Sequence, residues 1–432
     1  MIKVSSVNNS LLLTFKKPNM WQWMTAFYVL YTFMAILGQF MNYASVFIFI
    51  FILFCAVKNR GRIVKRPVAF VWCLWILIYP ILDNFLRGEY KLQLYELLSY
   101  GTVILFLIFA DDDVNNVKGL LTGFKIIAWF NVFGILLQNL IPRLHTIIAW
   151  RLLGMWSYDV RAFTSDSTAA AFLFAIAIGI VFAEFLCEKN RLSKAIKLLE
   201  FIILFISLIL TTKRSMLIAV IVAVFVEYII TSLSSWRQLL KALAIEIVIV
   251  LLGIGIALFS YTVLGSESGL GRLGETIIGI INEQDVSSLR SLWAQYMNEW
   301  RLDNTWFGIG WESFKNRIYN TPYGGTVPNG HNVYLQIMCE EGYIGLILFL
   351  LILVVTLIIA LNNALYYSRQ SVVIEKKLAL SSLSIFINFV IYIGTGNGIY
   401  DACIYLYFFA GILLISVLDS LRRKGKNGRE TY

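Results

Sequence analysis

Twelve long apolar segments divide the sequence, and they constrain its fold more than any other feature. Most of them approach or reach the roughly 20 residues that an α-helix needs to cross a lipid bilayer. Their approximate bounds are 20–38, 41–57, 67–83, 93–110, 119–140, 167–187, 198–212, 215–233, 243–263, 342–361, 378–398 and 402–419. Backbone groups in lipid must be hydrogen-bonded within the protein, so each segment is expected to be helical. The sequence therefore predicts an all-α, polytopic membrane bundle of about twelve transmembrane helices, forming a single integral membrane domain over 1–432.

Composition supports this prediction. Hydrophobic residues make up 59% of the chain and charged residues 14%, against about 25% charged residues in ordinary soluble domains. These values exclude a soluble globular enzyme, a disordered chain and a disulfide scaffold. No secretory signal peptide is expected, because the apolar core at 11–13 is too short. The five cysteines show no paired spacing and are expected to pack as small apolar residues.

The distribution of Lys and Arg predicts the orientation of the bundle. Twelve spans place both termini on one side of the membrane. The segments on that side hold 23 of the 36 Lys and Arg residues, and the short loops on the opposite side hold 7. By the positive-inside rule, the N and C termini are expected to be cytoplasmic. The net charge of +10 is then an orientation signal, and nucleic acid is excluded as a partner.

Two extracytoplasmic segments are longer than simple turns. The smaller loop covers about 141–166, and the large loop covers about 264–341, between the ninth and tenth helices. The large loop contains a predicted amphipathic helix that starts near Asp285 as N-cap. Its apolar face consists of Leu289, Trp293, Tyr296, Met297 and Trp300. This face could lie in the lipid headgroups or pack against the spans.

The sequence contains two histidines, His145 and His331, and both fall on the predicted outer side. His331 follows Pro-Asn-Gly just before the tenth span, so it is expected at the membrane surface. A neutral imidazole there can accept a proton near pH 7. No His or Cys at ligand spacing accompanies either histidine, so a metal site is not expected.

Basic residues on the same side make a matching set. Arg161 precedes the sixth span, Lys213 and Arg214 occupy the tip of a helical hairpin, and Arg290 lies on the amphipathic helix. All four are expected at the height of lipid headgroups. Guanidinium groups bind phosphate or pyrophosphate in bidentate fashion, although each could also contact a headgroup or a local carboxylate.

An acidic run, Asp111-Asp112-Asp113, has two interpretations. It could bind the metal of a nucleotide-sugar transferase, or it could be a solvated turn. The predicted topology places it in a short cytoplasmic loop, which favours the turn.

The second half of the sequence contains a series of distinctive motifs. They are Leu-Thr-Thr-Lys-Arg-Ser at 210–215, Arg-Ser-Leu-Trp at 290–293, Phe-Gly-Ile-Gly-Trp-Glu-Ser-Phe at 307–314, His-Asn-Val-Tyr-Leu at 331–335 and Glu-Gly-Tyr-Ile-Gly at 341–345. Together they resemble the motifs of the O-antigen polymerase and O-antigen ligase superfamily of bacterial membrane glycosyltransferases. The layout of spans and the late outer loop agree with that family. The segment 161–166 differs from the glycine- and asparagine-rich form of the ligases, which favours a polymerase.

The resemblance implies a fold of the GT-C type and a reaction. A polyprenyl (undecaprenyl) pyrophosphate-linked glycan would serve as donor and another as acceptor, with inversion at the anomeric carbon and without metal or cofactor. His331 would be the general base. Arg214 and Arg290 would hold the pyrophosphate, and Arg161 and Lys213 are candidates for the same role. Supporting or substrate-binding residues would be Asn332, Trp293, Glu341 and Tyr334.

The resemblance thus predicts a polymerase of O-antigen, capsular or exopolysaccharide repeat units in the bacterial cytoplasmic membrane, with its active site on the extracytoplasmic face. It allows for a chain-length regulator protein as a partner, besides the membrane lipids. The nearest alternative is a ligase that transfers glycan to another acceptor. A flippase or exporter of lipid-linked glycan, which would line a path through the bilayer with polar groups, is the second alternative. A purely structural subunit would not explain the outer histidine and arginines.

Overall fold

The computed structural model describes residues 19–37, 41–58, 66–152, 162–164, 166–233, 236–265, 271, 274–275, 277–279, 282, 290–322, 329–370 and 372–427. Its principal helices in chain order are α1 Met20–Leu37, α2 Met41–Lys58, α3 Pro67–Leu86, α4 Leu94–Phe109, α5 Val114–Leu140, α6 Pro142–Thr146, α7 Ser167–Cys187, α8 Arg191–Leu210, α9 Arg214–Ser232, α10 Trp236–Leu264, α11 Arg290–Trp300, α12 Ser313–Tyr319, α13 Val333–Ser368, α14 Val373–Tyr392 and α15 Ala402–Asn427. The described part of the chain contains no β-strand. The predicted all-α class is confirmed.

Each of the twelve predicted apolar segments falls on one of these helices. Within the described ranges, seven helices are long and apolar enough to cross a membrane: α1, α3, α5, α7, α9, α13 and α15. Shorter apolar helices cover Tyr43–Lys58, Leu94–Phe109 and Gly253–Val263. The charged first turns of α8 and α14 shorten their apolar parts. A count of twelve spans, with both termini cytoplasmic, stays a prediction.

Local sequence explains where several helices begin and bend. Asp113, Asp166, Asn190 and Asn332 each accept a hydrogen bond from a backbone N–H in the first turn of the following helix. In α3, Pro80 lies inside a π-helical stretch over Leu77–Asp83, because proline has no N–H and its ring crowds the preceding turn.

Helices α7, α14 and α15 form the centre of the bundle. α14 packs against α7, α9, α13 and α15, and both α7 and α15 are buried along most of their length. Gly179 of α7 lies directly against Ser384 of α14. The interior of the bundle also encloses polar side chains, among them Glu227 of α9 and Ser384 and Asn388 of α14, all 0% exposed.

The two ends differ in the segments they contain. At one end, here called the loop end, residues 83–93, 301–322, 329–332 and 394–401 contact one another, with Asn84 Nδ2 donating to the Trp311 carbonyl at 3.0 Å. At the other, the basic end, Arg66 and Lys424 both pair with Asp112 at 2.9 Å. Twenty-three residues of α15 separate Asp401 from Lys424, which is about 34 Å along a helix. Residues 301–322 and 329–332 of the predicted large outer loop therefore lie at the end opposite the Asp112 cluster.

Candidate active site at the loop end

The glycine–aromatic segment 307–314 is a tight turn that packs on α13. Gly308 and Gly310 have φ angles of +70° and +101°, a region that favours glycine. The Ile309 N–H donates to the Cys339 carbonyl at 3.1 Å, and the Gly310 N–H donates to the Glu340 carbonyl at 2.7 Å. A Cβ at Gly308 would come within 2.2 Å of the Glu340 carbonyl oxygen. The two backbones touch, so the glycine turn is held directly against α13.

Gly342 provides the complementary surface on α13. It has a φ angle of +67° and kinks the helix, and a Cβ there would lie 2.3 Å from the Trp306 carbonyl oxygen. The Tyr343 N–H, next to this kink, donates to the Thr305 carbonyl at 3.1 Å. Two motifs that are some thirty residues apart in sequence thus form one unit.

Replacing Gly308 with alanine should destabilise this unit by about 2–4 kcal/mol, because alanine meets both an unfavourable φ and a backbone clash. The thermal unfolding temperature of the purified protein in detergent would show the loss. Gly253→Ala in α10 is the control, since nothing lies within 4 Å of a Cβ there. Equal unfolding temperatures for the two variants would contradict the packing argument.

His331 lies just before α13 in a left-handed backbone conformation, with φ +52°. This region is uncommon for residues other than glycine, and such strain is often found at functional sites. Its backbone N–H donates to Asn397 Oδ1 at 3.2 Å, and its side chain is half-buried. The next residue, Asn332, caps α13 by accepting from the Leu335 N–H at 3.1 Å. Residue 331 is therefore anchored to the loop between α14 and α15.

The other predicted supporting residues lie in the protein interior around this segment. Tyr334 is half-buried and its hydroxyl donates to the Val390 carbonyl at 2.9 Å. Trp293 is 1% exposed and packs with Met297, Phe314 and Cys339. Glu341 is 2% exposed, with an Arg87 nitrogen 3.5 Å from its carboxylate. In these positions Trp293 packs against the turn, Tyr334 contacts α14, and Glu341 lies near Arg87.

The amphipathic helix is confirmed as α11, although its predicted N-cap Asp285 and Leu289 lie outside the described residues. Trp293 and Met297 are buried, and Tyr296 and Trp300 are partly buried against the same cluster. Of the two arrangements predicted for this face, the structure has it packed on α13 and the turn.

The four predicted cations lie at three places in the sequence, at 161, 213–214 and 290. Lys213 is the N-cap of α9 and Arg214 is its first residue, and both side chains are half-buried. α7 begins beside Asp166 at the loop end and α8 runs back along it, with Lys197 Nζ 2.8 Å from Glu184 Oε2, so the N terminus of α9 lies at the loop end with His331. Arg290 is the first residue of α11, and Arg161 lies outside the described residues.

A polar cavity of about 420 Å³ opens at the loop end beside His331. Asn397, which accepts the His331 N–H, lines it, and so does Asn329, two residues before the histidine. The remaining polar and aromatic lining residues are Tyr95, Glu96, Tyr100, Asp166, Glu312, Lys315, Tyr400, Asp401 and Tyr405. Most of the polar lining residues could not be identified from the sequence, because they come from five separate parts of the chain.

Asp166 and Asp401 bring two carboxylates to this cavity from the starts of two helices. Asp166 Oδ1 accepts from the N–H groups of Thr168 and Ala169, at 2.6 and 2.9 Å. Asp401 Oδ1 accepts from the Cys403 N–H at 3.0 Å. Burial, together with the charge of Asp166, raises the pKa of Asp401 to about 7. This carboxyl therefore exchanges its proton near neutral pH.

Glu312 is a third carboxylate on the cavity wall, and its backbone is left-handed with φ +63°. Lys315 Nζ lies 3.7 Å from Glu312 Oε2 and 3.6 Å from Glu96 Oε1. Burial raises the pKa of Glu312 to about 7, helped by the charge of Glu96 and opposed by Lys315. The neighbouring Glu340 accepts from the Phe314 N–H at 3.1 Å and from the Tyr400 hydroxyl at 2.7 Å, which ties the cavity wall to α13.

The raised pKa of Glu312 makes a prediction about stability. Above its ordinary pKa of 4.5 the unfolded chain loses a proton that the folded protein retains up to about pH 7, so Glu312 destabilises the fold as the pH rises through this range. Glu312→Gln should stabilise the protein by up to about 3 kcal/mol at pH 8 and have little effect at pH 4. Unfolding temperatures measured at both pH values test this. Glu299→Gln, on the exposed face of α11, is the control. An equal effect of Glu312→Gln at both pH values would contradict the prediction.

The loop-end motifs lie within one segment that known proteins share. Residues 199–350 match the O-antigen ligase family. The matched segment covers about a third of the chain and runs from α8 to α13, including Lys213, Arg214, the glycine turn and His331. A search of curated proteins gave no match. The match confirms the resemblance to O-antigen polymerases and ligases, a family of glycan-joining enzymes, without separating the two activities.

Two further predictions concern metal binding and the acidic run. Among the residues that the structure describes, no three His, Cys, Asp or Glu side chains are grouped as a metal would need. Asp113 caps α5, and Asp112 bonds to Arg66, Ser420 and Lys424. Asp112 is thus part of an ion-pair cluster at the basic end rather than of a simple solvated turn.

Proposed function

We propose that the protein polymerises polyprenyl pyrophosphate-linked oligosaccharide repeat units at the outer face of the bacterial cytoplasmic membrane. The observation that carries this proposal is that the segment matching the O-antigen ligase family contains His331 and Arg214, and both lie at the end of the bundle that holds the polar cavity. The apolar helices would hold this end at the membrane surface, where a lipid carrier presents its glycan.

In this reaction a sugar hydroxyl of the acceptor attacks the anomeric carbon of the donor, and the lipid pyrophosphate leaves. His331 would accept the hydroxyl proton as the new bond forms. Arg214 and Arg290 would bind the pyrophosphate and stabilise the charge that grows on it, with Lys213 and Arg161 contributing to the same clamp. The N terminus of the 19-residue helix α9, where Lys213 and Arg214 lie, also favours an anion through the helix dipole.

A ligase is the second candidate, because the matching family model carries that name. An exporter of lipid-linked glycan fits less well. Between the polar cavity and the basic end, α7 and α15 are closely packed with apolar side chains, whereas a path for sugars would need polar groups along it.

Purified protein supplied with synthetic polyprenyl pyrophosphate oligosaccharide tests the proposal, with products sized on a gel. A ladder of repeat units is the expected result. Transfer of a single glycan to an added acceptor, without a ladder, would indicate a ligase. Movement of the substrate across a vesicle membrane without any new glycosidic bond would indicate an exporter, and the polymerase proposal would then be wrong.

A chelator should leave this activity intact, because the proposed charge stabilisation comes from guanidinium groups. Product ladders formed with and without EDTA in the same assay test this expectation. Loss of activity in EDTA, restored by one divalent cation, would show that a metal takes part.

A further inference from the structure

The cavity at the loop end is acidic. Four carboxylates line it, from Glu96, Asp166, Glu312 and Asp401, and Lys315 is the ammonium group among its lining residues. A pyrophosphate placed there would meet several like charges at short range in a partly desolvated space, where repulsion is strong. The cavity is therefore suited to a different part of the substrate than the lipid pyrophosphate.

Glu312 gives this cavity an acceptor that no described residue satisfies. Its side chain is 2% exposed, and Oε2 accepts no hydrogen bond from the described part of the chain. Its nearest cation is Lys315, at 3.7 Å, which is outside hydrogen-bonding range. A buried carboxylate oxygen without a donor costs free energy that a ligand hydroxyl or ammonium group would recover.

Other lining residues offer further acceptors in fixed positions. Asp166 and Asp401 each use one carboxylate oxygen to cap a helix, so the backbone of α7 and α15 holds both side chains in place. Asn329 and Asn397 add amides, and tyrosine rings complete the wall. Carboxylates and amides bind hydroxyl groups, and aromatic rings cover the apolar faces of sugars. The volume of about 420 Å³ falls within the range of small-ligand sites, about 300–1,000 Å³.

From these features we propose that the cavity binds the terminal sugar of the acceptor glycan and selects a neutral or amine-bearing sugar over one that carries a carboxylate or phosphate. The proposal rests on the proposed function and names the substrate class of that same site. Asn397 lines the cavity and accepts the His331 N–H, so a sugar bound there has its hydroxyls beside the segment that carries the proposed base.

Binding of disaccharide probes tests the proposal without any transfer reaction. Full-length protein in lipid nanodiscs is titrated by calorimetry at pH 8 with a glucosamine disaccharide, cellobiose and a glucuronic acid-containing disaccharide. We expect the first two to bind at least about tenfold more tightly than the acidic one, a difference of about 1.4 kcal/mol. The double variant Glu312→Gln/Asp401→Asn should bind the glucosamine disaccharide about tenfold more weakly, with an affinity close to that for the acidic disaccharide.

Controls separate a local effect from a general one. Asparagine can still cap α15, so Asp401→Asn should fold, and Asp166→Asn is a second variant of the same kind. Glu299→Gln removes a charge from the exposed face of α11 and should leave all three affinities unchanged. Size-exclusion profiles and unfolding temperatures confirm that each variant is folded.

The results bear separately on this site and on the proposed function. Equal affinity for the acidic and glucosamine disaccharides, no binding of any probe, or unchanged selectivity in the folded variants would overturn the acceptor site. Selective binding by a protein that forms no glycosidic bond in the polymerisation assay would instead retain the sugar site and reject the polymerase. A protein that forms the polymer but binds the probes without selectivity would retain the polymerase and reject the sugar site.

Discussion

Replacing His331 with alanine should abolish chain extension while the protein still inserts into the membrane at its normal level. A general base typically contributes a factor of about 10² to 10⁴, so the rate should fall at least about 100-fold. The backbone contact to Asn397 and the Asn332 cap do not depend on the imidazole, and the fold should therefore persist. Product ladders from synthetic lipid-linked oligosaccharide, together with an unfolding temperature, measure both effects.

The second histidine provides the control for this experiment. His145 is buried, and its Nε2 lies 2.7 Å from the Ala162 carbonyl oxygen, a contact that glutamine can keep. His145→Gln should thus retain polymer of normal length. His331→Gln should be as inactive as the alanine variant, because an amide does not take up a proton. Chains of wild-type length from the His331→Ala protein would exclude the histidine as base.

Changing Arg214 to lysine should lower the rate of polymerisation by roughly 10- to 100-fold, although the charge is kept. Lysine cannot form the two parallel hydrogen bonds that a guanidinium makes to phosphate, and each charge-assisted bond is worth about 1.5–3 kcal/mol. Because the pyrophosphate gains charge as it leaves, the loss should be seen mainly in kcat. Initial rates over a range of donor concentrations separate kcat from KM.

Arg143 provides a matched arginine outside the proposed pyrophosphate clamp. It is exposed on the short helix α6. Arg143→Lys should be as active as the unaltered protein. If Arg214→Lys were equally active, Arg214 would act by charge attraction alone, and the bidentate clamp would be wrong.

The positions of the helices could be predicted from the sequence with few errors. An apolar run of about 20 residues in a chain with so few charges has one stable form in lipid, so all twelve predicted segments fall on helices. The sequence also located the glycine turn and His331, because both lie in motifs of the superfamily that the chain resembles. The family match at 199–350 confirms the resemblance drawn from those motifs.

The roles of individual side chains were harder to predict. Trp293, Tyr334 and Glu341 were predicted to be supporting or substrate-binding residues. The structure shows their packing and polar contacts, and their roles stay predictions. Sequence spacing shows which face of a helix is apolar, but it does not show whether that face meets lipid or protein. That depends on the neighbouring helix, which the sequence alone does not identify.

By itself, then, the sequence determined an all-helical chain of apolar segments and the motifs it shares with O-antigen polymerases and ligases, because both depend on local composition and spacing. Only the tertiary structure decided which polar groups share a cavity. Glu96, Asp166, Glu312 and Asp401 are separated by up to some three hundred residues, and none has a neighbour in sequence that signals the others. They meet because α7 and α15 start at the same end of the bundle and the glycine turn packs Glu312 against α13, and such long-range packing depends on the shapes of whole helices.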